Sequence, residues 1–240
     1  MVFLILRPVA KYQISAAHFK AANLPAVGLG LIDTIADQAA LAALPQQIEA
    51  LAPNSLIIFT STTAAELACQ QSIHWPAAIH ILAVGQATAL RLKNAGLAPE
   101  VPALASTEGL LGLAKLQAIK GRQVLIVKGQ GGRPDLAQVL SARGAQVSAA
   151  NLYQRVNIAP PKATEVWHAT QIQCIIATSG ELIEAAFAQF ALQWLQSMPW
   201  IVVSPRTQQI ATKLGINKIL LSEDASDQAL IHCAKEFLEQ

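Results

Sequence analysis

The stretch Phe3-Leu4-Ile5-Leu6-Arg7 decides the fold, because its pattern returns as Val124-Leu125-Ile126-Val127-Lys128 in the second half of the chain. Both stretches are apolar runs that end on a cation. The run Leu56–Ser61 returns in the same way as Cys174–Ser179, at nearly the same spacing. Two further pairs match as well: Ala83–Thr88 with Val202–Thr207, and Ala105–Leu110 with Ala225–Leu230. The matching order and spacing predict two copies of one α/β unit, and hence two lobes with a cleft.

The composition supports two small domains with buried sheets. A length of 240 residues suits two domains, and 53% hydrophobic with only 13% charged residues supplies two cores. The net charge of +2 is too small to indicate binding to nucleic acid, and 5% aromatic residues are too few for base stacking. We therefore expect no nucleic acid partner.

Targeting and membrane signals are weak along the whole chain. The longest uncharged stretches, Leu67–Leu90 and Ala185–Pro205, are interrupted by Gln, Ser and Pro, so neither indicates a membrane span. The run Val2–Leu6 has no basic region before it and no cleavage site after it, which favours a first strand over a signal peptide. The three cysteines are widely spaced and odd in number: Cys69, Cys174 and Cys233. They fit a reducing cytoplasm and offer no metal-site spacing.

Short β-branched runs alternate with longer Ala/Leu-rich segments, which is the pattern of βαβ units on parallel sheets. Strands are predicted near residues 2–6, 26–32, 55–60, 79–84, 123–128, 146–153, 173–178, 200–203 and 218–221. Pro45 interrupts a helical repeat of leucine and isoleucine, which weakens that helix and favours a late start. Gly96, Gly144 and Gly215 each follow a helical segment, where a left-handed cap requires glycine.

Two strand-to-helix turns carry matching hydroxyl groups: Thr60-Ser61-Thr62-Thr63 and Thr178-Ser179-Gly180-Glu181. Ligands bind at the carboxyl ends of parallel strands, and free N–H groups with the helix dipole favour an anion there. The alternative is ordinary capping, since Thr63 with Glu66 and Thr178 with Glu181 both fit a capping box. Both interpretations stay open, and the duplication favours a ligand role.

The segment Lys128-Gly129-Gln130-Gly131-Gly132-Arg133 directly follows an apolar strand. Its glycines permit close backbone approach, and Lys128 and Arg133 supply cationic donors for an acidic ligand. It is not a dinucleotide fingerprint, because Pro134 stands where the third glycine should be. A flexible loop with solvated charges is the alternative. Arg7 occupies the place of Lys128 in the other copy.

Tyr153 lies at the end of a predicted strand and is one of only two tyrosines. A phenol is protonated at neutral pH and can donate a proton or a hydrogen bond. The alternative, which the sequence alone slightly favours, is packing where the linker meets a lobe. Further polar residues open two matching helices and point to the same cleft: Gln86, Thr88, Ser204, Arg206 and Thr207. No histidine lies near a serine or cysteine in a recognised nucleophile motif.

Taken together, these residues resemble the uroporphyrinogen-III synthase family across essentially the whole chain. The resemblance rests on Leu6–Pro8, Phe59–Ser61, Ala83–Ala89, Ser106–Leu110, Lys128-Gly129 with Gly132-Arg133, Gly144-Ala145 with Leu152-Tyr153, Ala177–Ser179, Ser204 with Thr207, and Ala225-Ser226. Each segment alone is weak, but their order and spacing are specific. The chain departs from the family at Thr63, where asparagine is usual, and at Ser204-Pro205, where glycine is usual.

The resemblance implies two flavodoxin-like or Rossmann-like parallel-sheet lobes joined by a two-stranded linker. One lobe is discontinuous and combines residues 1–33 with residues 160–240. The other is the continuous stretch 38–153, and residues 34–37 and 154–159 form the linker strands. On this scheme the duplicated β-α-β segments at residues 1–33 and 123–153 have exchanged places.

The resemblance also implies a reaction: a hydro-lyase of heme biosynthesis that cyclises hydroxymethylbilane to uroporphyrinogen III, losing water and inverting the last ring through a spiro intermediate. It implies no cofactor and no metal, and it makes Tyr153 the expected proton donor. The expected substrate-binding residues are Arg7, Thr60, Ser61, Thr62, Gln86, Thr88, Lys128, Arg133, Thr178, Ser179, Ser204 and Thr207. We expect a cytoplasmic monomer that receives its substrate from the preceding bilane-forming enzyme.

Two other classes fit parts of the pattern. A non-catalytic, two-lobed cytoplasmic protein that binds a small acidic ligand would have the same repeat and the same hydroxyl groups. A flavodoxin-like electron carrier would need aromatic contacts to a flavin, which a chain with 5% aromatic residues barely supplies. Turnover separates the first class from the enzyme, and the colour of a bound flavin would reveal the second.

Overall fold

The computed structural model describes residues 2–132 and 134–239, and in these ranges the chain forms nine β-strands and eleven α-helices. The strands are β1 (Val2–Pro8), β2 (Ala26–Ala36), β3 (Leu56–Phe59), β4 (His80–Ala83), β5 (Gln123–Gly129), β6 (Gln146–Ala163), β7 (Ile172–Ala177), β8 (Trp200–Val202) and β9 (Ile219–Leu221). The helices are α1 (Tyr12–Ala21), α2 (Gln38–Glu49), α3 (Thr62–Cys69), α4 (Gln86–Asn94), α5 (Thr107–Leu111), α6 (Ala114–Gln117), α7 (Asp135–Ala142), α8 (Gly180–Phe187), α9 (Leu192–Ser197), α10 (Pro205–Lys213) and α11 (Asp227–Leu238).

The chain divides into two compact units, each built on parallel strands. Unit 1 contains Met1–Thr34 and Val156–Gln240, and unit 2 contains Ile35–Arg155. The strand order is β2-β1-β7-β8-β9 in unit 1 and β4-β3-β5-β6 in unit 2. These strand pairs all run parallel, and helices separate them along the chain. The predicted α/β class with parallel sheets is therefore confirmed.

The internal repeat is visible in the strand order. In unit 2, β3 lies between β4 and β5, just as β7 lies between β8 and β1 in unit 1. A register shift occurs between Lys128 and Gly129 where β5 pairs with β6, and again between Arg7 and Pro8 where β1 pairs with β2. Each unit thus combines one β-α-β segment with the strand-and-helix run of the other copy.

Both faces of each sheet are buried, which explains why the strands are continuous apolar runs. Successive strand residues point to opposite faces. In β1, Leu4 and Leu6 belong to one hydrophobic cluster of unit 1, and Phe3 and Ile5 belong to the other. In unit 2, β3 divides in the same way between two further clusters. Helices on both sides cover the sheets, as expected for parallel strands.

Helix α2 begins earlier than the sequence predicts. It runs from Gln38 to Glu49 with Pro45 inside it, so the predicted late start is wrong. Asp37 caps the helix, because its carboxylate accepts a hydrogen bond from the N–H of Ala40 at 2.9 Å. The cap and the burial of Leu41, Leu44 and Ile48 outweigh the hydrogen bond that the proline removes.

Strand β6 runs on from the predicted strand near residues 146–153 through the predicted linker strand 154–159, and it ends four residues later at Ala163. It passes through Pro160 and Pro161, which cannot donate backbone hydrogen bonds. Just after it, the N–H of Thr164 donates to the carbonyl of Gly28 in unit 1 at 3.1 Å.

The left-handed caps predicted at Gly96, Gly144 and Gly215 are confirmed, since the φ angles of these glycines are +80°, +84° and +87°.

Candidate functional site

The turn after β3 places a hydroxyl at the start of α3. Ser61 has an extended backbone and is the N-cap, and its Oγ accepts a hydrogen bond from the N–H of Ala64 at 3.1 Å. In unit 1, Ser179 caps α8 in the same way, with its Oγ 3.3 Å from the N–H of Leu182. The capping boxes predicted at Thr63 and Thr178 are therefore wrong, because serine supplies the cap in both turns. The neighbouring Thr60, Thr62 and Thr178 are partly exposed.

The second pair of matching turns starts α4 and α10. Ser204 and Thr207 form a reciprocal cap on α10: the N–H of Thr207 donates to Ser204 Oγ at 3.2 Å, and the N–H of Ser204 donates to Thr207 Oγ1 at 2.9 Å. Pro205 follows at the first helical position, where its missing N–H costs nothing. Thr207 is buried. On α4, Gln86 is exposed and Thr88 is buried.

Tyr153 joins the turn after β3 to strands β5 and β6. It lies on β6 opposite Gly129 of β5, and the residue is 6% exposed. Its O–H donates to Ser61 Oγ at 3.1 Å, across 92 residues of sequence. A Cβ atom at Gly129 would lie 2.5 Å from Tyr153 Cζ, so the ring fills the space that glycine leaves. Within unit 2, the expected proton donor and an expected substrate contact are thus a hydrogen-bonded pair.

Lys128 is the residue before Gly129 on β5. It ends the apolar part of β5 opposite Asn151 and is partly buried. Within residues 2–132 and 134–239 its ammonium group makes no hydrogen bond or ion pair, so its charge is available to an anionic ligand. Gly131 and Gly132 follow with φ angles of +79° and +80°, which makes this segment a glycine-dependent loop. The predicted contact at Arg133 lies outside the described residues.

Arg7 has different surroundings from Lys128, although it occupies the equivalent strand end in unit 1. It is 5% exposed, its Nε donates to Ser15 Oγ at 2.8 Å, and its Nη2 pairs with Asp227. Ser15 Oγ also donates to Asp227 at 2.7 Å, and His18 Nδ1 lies 2.7 Å from the other carboxylate oxygen. The charge of Arg7 is thus paired inside unit 1, and its contact with substrate stays a prediction.

This cluster shifts the pKa of Asp227. Burial acts to raise the pKa of the carboxyl group, but hydrogen bonds from Ser15, His18 and Arg7, together with the Arg7 charge, outweigh burial and hold the pKa below its ordinary value. The carboxylate therefore stays ionised and keeps Arg7 paired.

Other reactive chemistry is sparse in the part of the chain that the structure describes. There, no group of three histidine, cysteine or acidic side chains could hold a metal ion. Burial raises the pKa of the Cys174 thiol far above its ordinary value, with a smaller contribution from Cys233. This thiol therefore stays protonated and is a poor nucleophile.

Among the described residues, no helix has the length and apolar character needed to cross a bilayer.

The fold and the site define a class: α/β proteins with two parallel-sheet units and hydroxyl groups at matching strand ends. A mutant uroporphyrinogen III synthase from the extreme thermophile Thermus thermophilus shares this fold with a TM-score of 0.65 at 13% identity, over 100% of both chains. The uroporphyrinogen-III synthetase from Helicobacter pylori 26695 aligns with a TM-score of 0.61 at 15% identity, over 100% of this chain and 99% of the other. At these identities the likeness concerns the fold alone.

Sequence comparison identifies the family. The family model described as uroporphyrinogen-III synthase HemD matches residues 14–232. The uroporphyrinogen-III synthase of Salmonella typhimurium strain LT2 is 31% identical over 243 residues, covering 96% of this chain and 98% of the relative. That of Escherichia coli K12 is 32% identical over 202 residues, covering 78% and 81%. The chain belongs to the uroporphyrinogen-III synthase family, as its sequence predicts.

Membership of this family makes the chain an enzyme of heme biosynthesis. The matches support uroporphyrinogen-III synthase as its function and do not favour a non-catalytic binding protein. Sequence reasoning singled out Gly129 but missed that it makes room for Tyr153, and it missed Ser15 and Asp227, which enclose Arg7. All three act through contacts between residues that are not neighbours in sequence.

Proposed function

We propose that the chain acts as a hydro-lyase that cyclises hydroxymethylbilane to uroporphyrinogen III. The observation that carries this proposal is the hydrogen-bonded Tyr153–Ser61 pair in unit 2, where Ser61 follows β3 and Tyr153 lies opposite Gly129 of β5. A buried phenol held by a hydrogen bond suits the donation of a proton to a leaving hydroxyl of the substrate.

The proposed reaction begins at the terminal hydroxymethyl group of the linear tetrapyrrole. Tyr153 transfers its proton to the hydroxyl, the C–O bond breaks with electron density from the pyrrole nitrogen, and water leaves an electrophilic azafulvene. The substituted carbon of the last ring attacks to form a spiro intermediate, which fragments and recloses through the free carbon of that ring. The proton that this carbon then loses restores the phenol.

Substrate binding would rest on carboxylate recognition. The bilane carries eight carboxylates, and a charge-assisted hydrogen bond to such a group contributes about 1.5–3 kcal/mol. We propose these contacts: Thr60, Thr62, Gln86, Lys128, Thr178, Ser179 and Ser204, with Arg133 from the sequence alone. Arg7 is left out because it is paired with Asp227, and Thr88 because it is only 3% exposed. Thr207 and Ser61 are left out because their hydroxyl groups bond to Ser204 and Tyr153. Most of the rate enhancement would come from holding the bilane in the conformation that closes to the inverted ring.

We also propose a cellular setting for this reaction. The free bilane closes spontaneously to the symmetric type I isomer, so direct hand-over from the bilane-forming enzyme would protect it. The enzyme would act in the cytoplasm as a monomer.

We propose the following domain boundaries for the enzyme. One domain would combine residues 1–33 with residues 160–240, the other would be residues 38–153, and the linker strands would be residues 34–37 and 154–159.

An isomer assay tests the proposed function. Hydroxymethylbilane is supplied to the purified protein, the products are oxidised, and the uroporphyrin isomers are separated. We expect predominantly type III product, well above the background of a reaction without protein. Type I product alone, from a folded protein, would contradict the proposal and favour a binding protein for a small acidic ligand.

A further inference from the structure

We propose that Ser61 and Gly129 are positioning residues for the phenol of Tyr153. Ser61 would hold the phenol oxygen in place, and Gly129 would provide the space in which the ring lies. The proposal deepens the proposed function and rests on it for the role of Tyr153 as proton donor. Ser61, which the sequence predicts as a substrate contact, would thus act on the reaction by positioning Tyr153 and not by binding the substrate.

Ser61 offers a fixed point for the phenol because the backbone of α3 anchors it. Its Oγ accepts hydrogen bonds from the N–H of Ala64 at 3.1 Å and from the O–H of Tyr153 at 3.1 Å. A hydroxyl has two acceptor sites and one proton, so both acceptor sites are used and the serine proton remains. To give its proton to the leaving hydroxyl, the phenol O–H turns from Ser61 towards the substrate. The Ser61 hydroxyl can then rotate and donate a hydrogen bond to the phenoxide that forms. Ser61 keeps its own proton throughout, so it neither adds a proton to the step nor removes one.

Gly129 controls where the ring can lie. A Cβ atom there would meet Tyr153 Cζ at 2.5 Å, Cε2 at 2.6 Å and the phenol oxygen at 2.9 Å, which is closer than real Cβ contacts allow. Tyr153 is buried and belongs to a hydrophobic cluster of unit 2, so its ring can only move by disturbing that cluster. The register shift between Lys128 and Gly129 brings Tyr153 opposite this glycine.

Capping alone does not explain the contact to tyrosine. Ser179 caps α8 in the equivalent turn of unit 1, yet the residue at the place of Tyr153 there is Ile32, opposite Pro8. A serine cap is thus compatible with an apolar residue at this register position. Of the two equivalent corners, only the one in unit 2 pairs the capping serine with a phenol.

The first experiment compares Ser61→Ala with Ser106→Ala. Both substitutions remove a serine N-cap in unit 2, since Ser106 Oγ accepts from the N–H of Gly109 at 3.0 Å. Tyr153 donates to Ser61 and not to Ser106. We expect Ser61→Ala to lower kcat about three- to tenfold with KM nearly unchanged, the effect of one lost hydrogen bond. Ser106→Ala should leave kcat unchanged, and Ser61→Thr, which keeps the hydroxyl, should restore most of the activity.

A double-mutant cycle shows whether the effect passes through the phenol. In a Tyr153→Phe background, we expect Ser61→Ala and Gly129→Ala to cause no further loss of kcat, whereas Gly129→Ala alone should lower kcat by more than about tenfold. Equal losses in both backgrounds would overturn the proposal. If Gly129→Ala does not fold, the Ser61 series decides.

A spectroscopic readout separates positioning from turnover. The chain has two tyrosines, so protein labelled with ¹³C at tyrosine Cζ gives two signals, and Tyr153→Phe assigns one of them. Ser61→Ala should move the Tyr153 signal and leave the Tyr12 signal, while Ser106→Ala moves neither. An unmoved Tyr153 signal would refute positioning by Ser61. Two results together would separate the proposals. If Ser61→Ala moves the Tyr153 signal but the wild-type protein yields only type I product, the proposed function is refuted and the positioning of Tyr153 by Ser61 still holds.

Discussion

At the scale of single residues, the two copies of the repeat have diverged at one corner. Lys128 and Arg7 end equivalent strands, but Lys128 has no partner in the described part of the chain and Arg7 is paired with Asp227. Tyr153 and Ile32 are likewise equivalent in register. At this corner, unit 2 therefore carries a phenol and a cation without a partner among the described residues, whereas unit 1 carries an apolar side chain and a paired arginine.

Replacing Tyr153 with phenylalanine tests the proton donor. Tyr153→Phe keeps the ring beside Gly129 and removes only the hydroxyl, so we expect kcat to fall about 10²–10⁴-fold with KM within about threefold. The measurement is the rate of type III product formation. Tyr12→Phe removes the only other phenol, in unit 1, and should keep normal turnover. Full activity of Tyr153→Phe would exclude the phenol as the acid.

Replacing Asp227 with asparagine tests the buried ion pair in unit 1. The change leaves the Arg7 charge without a counter-ion, and we expect the free energy of unfolding at pH 7 to fall by about 2–3 kcal/mol in urea titrations. Asp33→Asn is the control, because its pair with Lys162 is 3.5 Å long and more exposed, and it should cost less than about 1 kcal/mol.

The same variant predicts a pH dependence. The pKa of Asp227 is lower in the folded protein than in the unfolded chain, so the stabilisation is complete above the ordinary aspartate pKa of about 3.9. It is lost as the pH falls through the lowered pKa. The difference between wild type and Asp227→Asn should thus be constant from about pH 7 to about pH 5 and shrink in more acidic buffer. A difference that grows on acidification would contradict this assignment.

At the scale of helices and strands, the sequence predicts the periodic features and misses the contacts between distant segments. The strands β1, β3 and β5 are recognisable because both of their faces are buried and their residues are uniformly apolar. The capping motif indicates Thr63 and Thr178, whereas Ser61 and Ser179 are the N-caps, because several hydroxyl residues in each turn could serve as the cap. The Tyr153–Ser61 bond spans 92 residues and the Arg7–Asp227 pair spans 220, so no local pattern indicates them.

The proline inside α2 gives a prediction at this scale. Pro45 removes the hydrogen bond that residue 45 would donate to the carbonyl of Leu41, so Pro45→Ala should raise the free energy of unfolding by about 1–3 kcal/mol. Thermal and urea unfolding measure the change. Pro205→Ala is the matched control, since Pro205 occupies the first position of α10 and its replacement should bring no gain. An equal change in the free energy of unfolding at both positions would contradict the cost assigned to the interior position of Pro45.

At the scale of the whole molecule, each unit has two hydrophobic clusters of its own on the faces of its sheet. We expect Asp227→Asn to raise amide hydrogen exchange mainly in unit 1, for example in α1 and α11, which carry the partners of Arg7. Helix α3 of unit 2 should keep its wild-type protection. A uniform rise measured by mass spectrometry throughout both units would indicate that they unfold as one cooperative body.

The exchanged β-α-β segments have a consequence for synthesis on the ribosome. Unit 2 is the continuous stretch Ile35–Arg155, so all of its strands are available soon after residue 155 is made. In unit 1, β1 must wait for β7 at Ile172–Ala177 and for the helices that follow. At about 5–20 residues per second, translating the chain that follows β2, unit 2 included, takes roughly 10–40 s. During this interval the amino-terminal β-α-β segment exposes apolar surface, which makes it the natural site for a chaperone to engage the nascent chain.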